Sequence, residues 1–343
     1  MAKACPRWRQ ALGELAGINP WPVSLALDKN LSGKVALISG GNQGIGYCVA
    51  QMLLRMRISR VYICCRKGHP NEPEESQVLA GLVASTGASK EQIFFEHVDF
   101  ADFASVRDLA KRFRDTHQPL DLLFNNAGIA SPVRAKTKDG FELHYEINYL
   151  SHALLTLELL PCLKAAPAAR IISTSSCLHW KGGDINFDDL NLDHFPDSEW
   201  SFPKGRFLEA YGQAKLLLAA FSAELQTRLL EQDPNSRVLT FAVHPGHVHT
   251  AIFTQNYSRD AMVLTAFIWI ATRVAITPYE GAKSLVKCAV SDEDDRATRG
   301  GRYFNRGWEA TPRAEVEIPL FRREIWQQTI KDLGYHPSTR LLH

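Results

Sequence analysis

The sequence predicts one α/β domain, a single doubly wound parallel sheet with helices on both faces. Two patterns carry that expectation. Short apolar runs alternate with helical stretches along most of the 343 residues. The runs are nearly all apolar, as strands buried on both faces must be. Alternation of this kind means βαβ units, whose long crossovers force parallel pairing.

The elements follow in order. Residues 34–39 (KVALIS) form the first strand, and residues 45–54 behind a glycine cluster are helical. Residues 61–65 (VYICC) and 93–98 are the second and third strands. Residues 104–117 form a helix with Val106, Leu109, Ala110 and Phe113 on one face. Residues 120–124 (LDLLF) are the fourth strand, and 141–163 are one long helix. Residues 171–174 are the fifth strand, 208–230 the next helix and 238–243 the sixth strand. Pro278 opens another helix, because a proline is tolerated in the first turn. Residues 301–304 are a last strand. Domain boundaries are expected at an N-terminal extension (1–30), the α/β domain (31–334) and a tail (335–343). Two stretches, 177–207 and 251–277, read as insertions into the domain.

Composition excludes several function classes. The 39 basic and 37 acidic residues give a formal charge of +2, so nothing demands nucleic acid or a polyanion. The seven cysteines are scattered and lack zinc-ligand spacing, so no metal is expected and a reducing compartment is implied. The N-terminus lacks the apolar core of a secretory signal, with Arg9, Glu14 and Pro20 interrupting it. Trp8, Leu12 and Leu15 would give it one helical face. No run reaches the roughly 18 apolar residues of a membrane span.

The turn after the first strand, SGGNQGIG, spaces Gly40, Gly44 and Gly46 as G-x3-G-x-G. Small residues let the backbone turn sharply against a pyrophosphate, and the following helix N-terminus offers free N–H groups. Gly40, Asn42, Gln43, Gly44, Ile45 and Gly46 are therefore candidate dinucleotide contacts in a Rossmann-type domain. An NAD enzyme wants an acidic residue at the end of the second strand. Here the run is Cys64, Cys65, Arg66, Lys67, and a guanidinium at Arg66 suits a 2′-phosphate. The cofactor expected is NADP(H).

Tyr211 and Lys215 stand in Y-x-x-x-K, which puts both on one helix face. A phenol near pKa 10 exchanges protons poorly at neutral pH, and a nearby ammonium lowers it. Ser173-Thr174-Ser175-Ser176 ends the fifth strand, Asn125-Asn126-Ala127-Gly128 the fourth, and His244-Pro245-Gly246 the sixth. Asn148 lies on the helix between the fourth and fifth. Carboxyl ends of strands are where open α/β sheets bind ligands.

Together these motifs resemble the short-chain dehydrogenase/reductase family, on its retinol-dehydrogenase-like branch and close to the oxidoreductase half of WW-domain-containing oxidoreductases. SGGNQGIG is similar to the family's TGxxxGIG, with Ser39 for Thr. NNAG matches at Asn125 to Gly128. EINYLSHALLT, from Glu146 to Thr156, matches N-x-x-G-H-F-L-L-T with Ser151 for Gly. YGQAK and HPGHVHT complete the set, and the likeness covers residues 31–334. The resemblance implies roles. Tyr211 would be the general acid in reduction and the base in oxidation. Lys215 would depress its pKa and hold the nicotinamide ribose. Ser176, rather than its neighbour Ser175, would hydrogen-bond the substrate oxygen. Asn148 would hold a water linking Lys215 to solvent. Asp99 would accept from the adenine amine, while Asn126, Val248 and Thr250 would line the cofactor. The 35 positions between Ser176 and Tyr211 exceed the spacing of compact members.

Both insertions are rich in large apolar groups: Trp180, Phe187, Phe195, Trp200 and Phe202 in the first, and Phe253 and residues 261–276 in the second. An apolar lid implies an apolar carbonyl or alcohol substrate such as a lipid, retinoid or steroid. Core packing, a dimer contact and a peripheral contact with a membrane or lipid droplet are the alternatives for these side chains. The expected place is the cytoplasm, with or without such a contact. The alternative functions are a catalytically silent NADP(H)-binding scaffold and a lipid-surface protein.

Overall fold

The computed structural model describes residues 23–25, 27–201, 204–248, 275–291 and 300–335. Trp8, Phe202, Phe253 and nearly all of the 251–277 insertion lie outside them, so the apolar run 261–276 is described only at Ala275 and Ile276. Among the described residues, one eight-stranded sheet organises the chain. Its strands are β1 (Val35–Ser39), β2 (Arg60–Cys65), β3 (Ile93–His97), β4 (Leu122–Asn125), β5 (Arg170–Thr174), β6 (Leu239–His244), β7 (Arg302–Asn305) and β8 (Trp308–Ala310). The order is β3-β2-β1-β4-β5-β6-β7-β8. All pairs are parallel except β7 with β8. The order reverses between β1 and β4, which opens the ligand crevice at their carboxyl ends.

Side-chain alternation divides each strand between two cores. Val35 and Leu37 join one, with Tyr62, Leu123 and Ile171. Ala36 and Ile38 join the other, with Val61, Ile63, Phe124 and Ile172. Burial on both faces explains why these runs lack polar alternation.

The helices are α1 (Gly44–Arg55), α2 (Glu75–Thr86), α3 (Phe103–Asp115), α4 (Ser151–Ala165), α5 (Arg206–Gln232), α6 (Pro278–Val290) and α7 (Pro319–Asp332). Asp102 caps α3 by accepting from the Ala104 N–H, and Thr277 caps α6 through Glu280 N. The single helix expected over residues 141–163 is three pieces. A helical turn Leu143–Tyr145 leads into a π-turn Glu146–Leu150 and then into α4. Several elements were not anticipated, among them α2, α7 and β8. Helix α2 buries only Val78 and Leu82, and α7 only Ile325, Trp326 and Thr329. Strand β8 has three residues.

The first insertion is mostly packing. Trp200 is 2% exposed and clusters with Leu192, Phe207 and Ala210. The Arg134 guanidinium lies 5.1 Å from the Trp200 ring. Of the named aromatics among the described residues, Trp180 alone is well exposed, at 42%. Among the described residues, no helix is long and apolar enough to cross a membrane.

Helix α7 closes the outer face of α5. Phe221 stacks on Trp326 at 5.5 Å and 7°, and Arg228 lies 4.5 Å from the Trp326 ring. Replacing Trp326 by alanine should lower the unfolding free energy by about 3–5 kcal/mol. Urea denaturation measures this. An unchanged midpoint would mean that α7 does not hold α5 in place.

Candidate active site

The glycine turn leaves β1 at Gly40, whose φ is +65°, and reaches Gly46 in the first turn of α1. A Cβ on Gly46 would sit 2.2 Å from the Gly40 carbonyl oxygen, so only glycine closes this turn. The loop is tied across the crevice to β4. Ser39 Oγ accepts from the Asn126 and Ala127 N–H groups at 2.8 and 2.9 Å. Asn126 Nδ2 donates back to Ser39 O at 3.0 Å. His152 Nε2 stands 3.0 Å from the same hydroxyl. Burial pushes His152 down to about 3, so its ring is neutral. Ser39, the departure from the expected threonine, and His152 are thus structural members of the site. Their signal lay in the TGxxxGIG and N-x-x-G-H motifs, but only the fold puts the two together.

At the end of β2, Arg66 and Asn42 share one partner. Arg66 Nε donates to Glu72 Oε1 and Asn42 Nδ2 to Glu72 Oε2, both at 2.7 Å. The run Cys64 to Lys67 holds no carboxylate, yet the fold brings one to Arg66 from six residues further on. Asp99 is exposed just past β3, and its Oδ1 accepts from Ala101 N at 2.9 Å. Val248 pairs with Ile276 in an isolated bridge, while Thr250 lies outside the described residues.

The catalytic candidates converge on the end of β5. Ser176 caps a 3-10 turn, Cys177–Lys181, by accepting from Leu178 N at 3.1 Å. Its side chain hydrogen-bonds Tyr211. Ser175 points elsewhere, with Oγ donating to Lys215 O at 3.2 Å. The 3-10 turn can lie this close to α5 because Gly212 follows Tyr211. A Cβ there would be 2.5 Å from Leu178 O. The long gap between Ser176 and Tyr211 therefore loops out and leaves the pair in contact.

Lys215 is buried, and its Nζ donates to Thr174 O at 2.8 Å, 5.7 Å from the Tyr211 ring centre. Asn148, in the π-turn, clamps the Ile129 main chain. Its Oδ1 accepts from Ile129 N at 2.8 Å and its Nδ2 donates to Ile129 O at 2.9 Å. Asn148 and Lys215 both flank Gly128, where a Cβ would lie 2.9 Å from Asn148 Oδ1 and 3.6 Å from Lys215 Nζ. Both side-chain amide groups of Asn148 are thus committed to the backbone that leads out of β4.

Electrostatics differs from the simple expectation that Lys215 depresses Tyr211. Burial pushes the phenol up, and only the Ser176 hydrogen bond opposes this. Burial also pushes the Lys215 amine down to about 7. Desolvation acts on both groups, so each is pushed towards its neutral form.

The residues present fit a nicotinamide dinucleotide. The turn closed at Gly46 leaves α1's N-terminus facing the crevice, and a buried amine waits beside the phenol. Gly40, Asn42, Gln43, Gly44, Ile45 and Gly46 would hold the pyrophosphate and Lys215 the ribose nearest the reacting ring.

Comparison with known proteins agrees with this geometry. A family model described as short chain dehydrogenase matches residues 34–184. The chain is 37% identical to mouse (Mus musculus) retinol dehydrogenase 11, over 89% of this chain and 87% of that protein. It is 33% identical to mouse polyprenol dehydrogenase, over 88% and 84% respectively. A solved structure of an uncharacterised protein from Mycobacterium paratuberculosis superposes with a TM-score of 0.63 at 26% identity, covering 90% of this chain and 96% of that one.

The Lys215 shift has a sign in solution. From about 7 up to the ordinary 10.5, the unfolded chain binds a proton that the folded chain has released. Stability of the cofactor-free protein should therefore rise with pH across that window and be lost as pH falls through 7. Lys215→Met should remove this component of the slope. Denaturation midpoints of both proteins across the window measure it, and identical slopes would show that Lys215 is not desolvated.

Proposed function

This chain belongs to the short-chain dehydrogenase/reductase family, and we propose that it is an NADP(H)-dependent oxidoreductase of an apolar alcohol or carbonyl compound. The observation that carries the reading is the Ser176–Tyr211 hydrogen bond in the crevice that also holds Lys215 Nζ. The nicotinamide, when bound, supplies or accepts the hydride. The protein's own work is on the oxygen. Ser176 Oγ donates to the substrate oxygen and holds it at Tyr211. In reduction the Tyr211 hydroxyl gives its proton to that oxygen, and in oxidation it takes the proton back. As the phenolate forms, its negative charge offsets the burial that holds the Lys215 amine at about 7, so Lys215 takes up a proton and stabilises the phenolate. Asn148 positions the chain through Ile129, so it acts on the site without touching substrate. Arg66 is the group suited to a 2′-phosphate, which supports NADP(H) over NAD(H).

Substrate class rests on two supports. The mouse relatives are named for retinol and polyprenol, both apolar alcohols. Residues 261–276 supply an apolar segment in the stretch after β6, next to the crevice in sequence. For the same segment we propose peripheral contact of a cytoplasmic protein with a membrane or lipid droplet. Protein washed from membranes by alkaline carbonate is the expected result. Retention in the pellet would mean integral insertion.

The test of chemistry is Tyr211→Phe, which keeps the ring and removes the hydroxyl. Turnover with retinal or another apolar carbonyl and NADPH should fall roughly 10²–10⁴-fold, while NADPH affinity stays within about twofold. Lys215→Met should lower both turnover and affinity, and the double variant should lose little more than the worse single one. Near-normal turnover by Tyr211→Phe would show that another group supplies the proton, whereas NADPH binding without turnover by the wild type would favour a catalytically silent NADP(H)-binding scaffold.

A further inference from the structure

Glu72 is buried on its side chain to 9% exposure, while the Arg66 side chain it holds is 41% exposed. The loop that carries it is fixed by a turn, with Glu72 N donating to His69 O at 2.9 Å. Its two oxygens are used separately, one on the glycine turn through Asn42 and one on Arg66. The carboxylate therefore bridges the place where pyrophosphate is expected and the place where a 2′-phosphate is expected. Its charge reaches the strand itself. Burial first, then Glu72 and Glu75, push the Cys65 thiol up to about 12. Glu75 has its own partner in His97, whose Nε2 lies 2.5 Å from Glu75 Oε1.

A 2′-phosphate carries more than one negative charge at neutral pH. To pair with Arg66 it must either displace the Glu72 carboxylate from Nε or lie beside it. Either course costs binding free energy that an unphosphorylated ribose does not spend. The ribose of NAD(H) offers hydroxyl donors instead, and a carboxylate accepts from those. Glu72 thus opposes the preference that Arg66 creates.

We propose that Glu72 is a specificity-determining residue that competes with the cofactor's 2′-phosphate for Arg66, and so narrows the discrimination between NADP(H) and NAD(H). This rests on the assignment of Arg66 to the 2′-phosphate. It makes Arg66 and Glu72 one unit whose net charge, rather than the arginine alone, sets cofactor choice.

The test is binding, not turnover. NADPH and NADH are titrated into wild type, Glu72→Gln, Arg66→Gln and the double variant, with nucleotide fluorescence as the readout. The quantity of interest is the ratio of the NADH to the NADPH dissociation constant. Glu72→Gln should raise that ratio by about tenfold, chiefly through tighter NADPH, because it removes an anion from the phosphate's partner. In the Arg66→Gln background the same change should have no effect on the ratio, since the competition is gone. Retained circular dichroism and an unchanged thermal midpoint would show the fold intact. An unchanged or lowered ratio in Glu72→Gln, alongside a collapsed ratio in Arg66→Gln, would overturn this proposal and leave the Arg66 assignment standing. A wild-type ratio at or below one that Arg66→Gln does not alter would overturn the Arg66 assignment, and the role of Glu72 with it.

Discussion

The register between β1 and β4 fixes the site, because Ser39 and Asn126 meet only when Ile38 lies opposite Phe124. A slip of one residue would turn every side chain of a strand to the opposite face. It would also strand the Ser39 hydroxyl, which is the fastening between the two strand ends. Donor counting shows how complete that fastening is. Two main-chain N–H groups occupy both lone pairs of Ser39 Oγ. Its single proton then goes to Phe124 O or to His152 Nε2, at 3.2 and 3.0 Å. A neutral His152 can accept it. The Ser39 hydroxyl that joins the phosphate turn to the strand end carrying Asn126 therefore has no spare bonding capacity, and the Asn126 amide adds a second tie to Ser39 O.

Burial shapes the chemistry as strongly as it shapes the fold. Tyr211 and Lys215 lie in the same desolvated crevice, and desolvation pushes their proton affinities in opposite directions. Both changes favour a neutral pair. Such a pair costs the protein less to keep buried than a phenolate facing an ammonium would. The site becomes strongly polar only when a ligand brings its own charge and hydrogen-bonding groups. A π-turn supports this arrangement. It carries Asn148, whose amide is locked to Ile129, so the backbone leaving β4 is rigid where a ligand must pass.

Much of this was legible in the sequence. Seven strands were anticipated to within a residue or two, most of them because burial on both faces leaves an apolar run; β3, with Glu96 and His97, and β7, RYFN, are the exceptions. The shared helix face of Tyr211 and Lys215 was legible from the spacing Y-x-x-x-K, whereas the choice of Ser176 over Ser175 came from the resemblance to the short-chain dehydrogenase/reductase family. The remainder was hidden for physical reasons. Helix α7, PLFRREIWQQTIKD, is polar along most of its length and buries three side chains, so it shows little periodicity. The π-turn keeps the composition of the α-helix around it. Glu72 sits among Glu74 and Glu75 in a proline-bounded acidic stretch that reads as solvated surface, and its partners are set by a turn. The aromatic residues of the first insertion suggested a substrate lid, but Trp200 spends its surface on packing against Arg134 and Phe207.

The contact between Phe221 and Trp326 also bears on biosynthesis. The two residues are 326 − 221 = 105 positions apart in the chain. At roughly 5–20 residues per second, a ribosome needs about 5–20 seconds to cover that stretch. Throughout that interval the Phe221 face of α5, the helix that bears Tyr211, has emerged without its cover. A nascent chain at this stage presents an apolar helical stripe, which is the kind of surface that holdase chaperones bind and that neighbouring nascent chains can stick to. Slow codons between β6 and α7 would lengthen this exposure, and fast ones would shorten it.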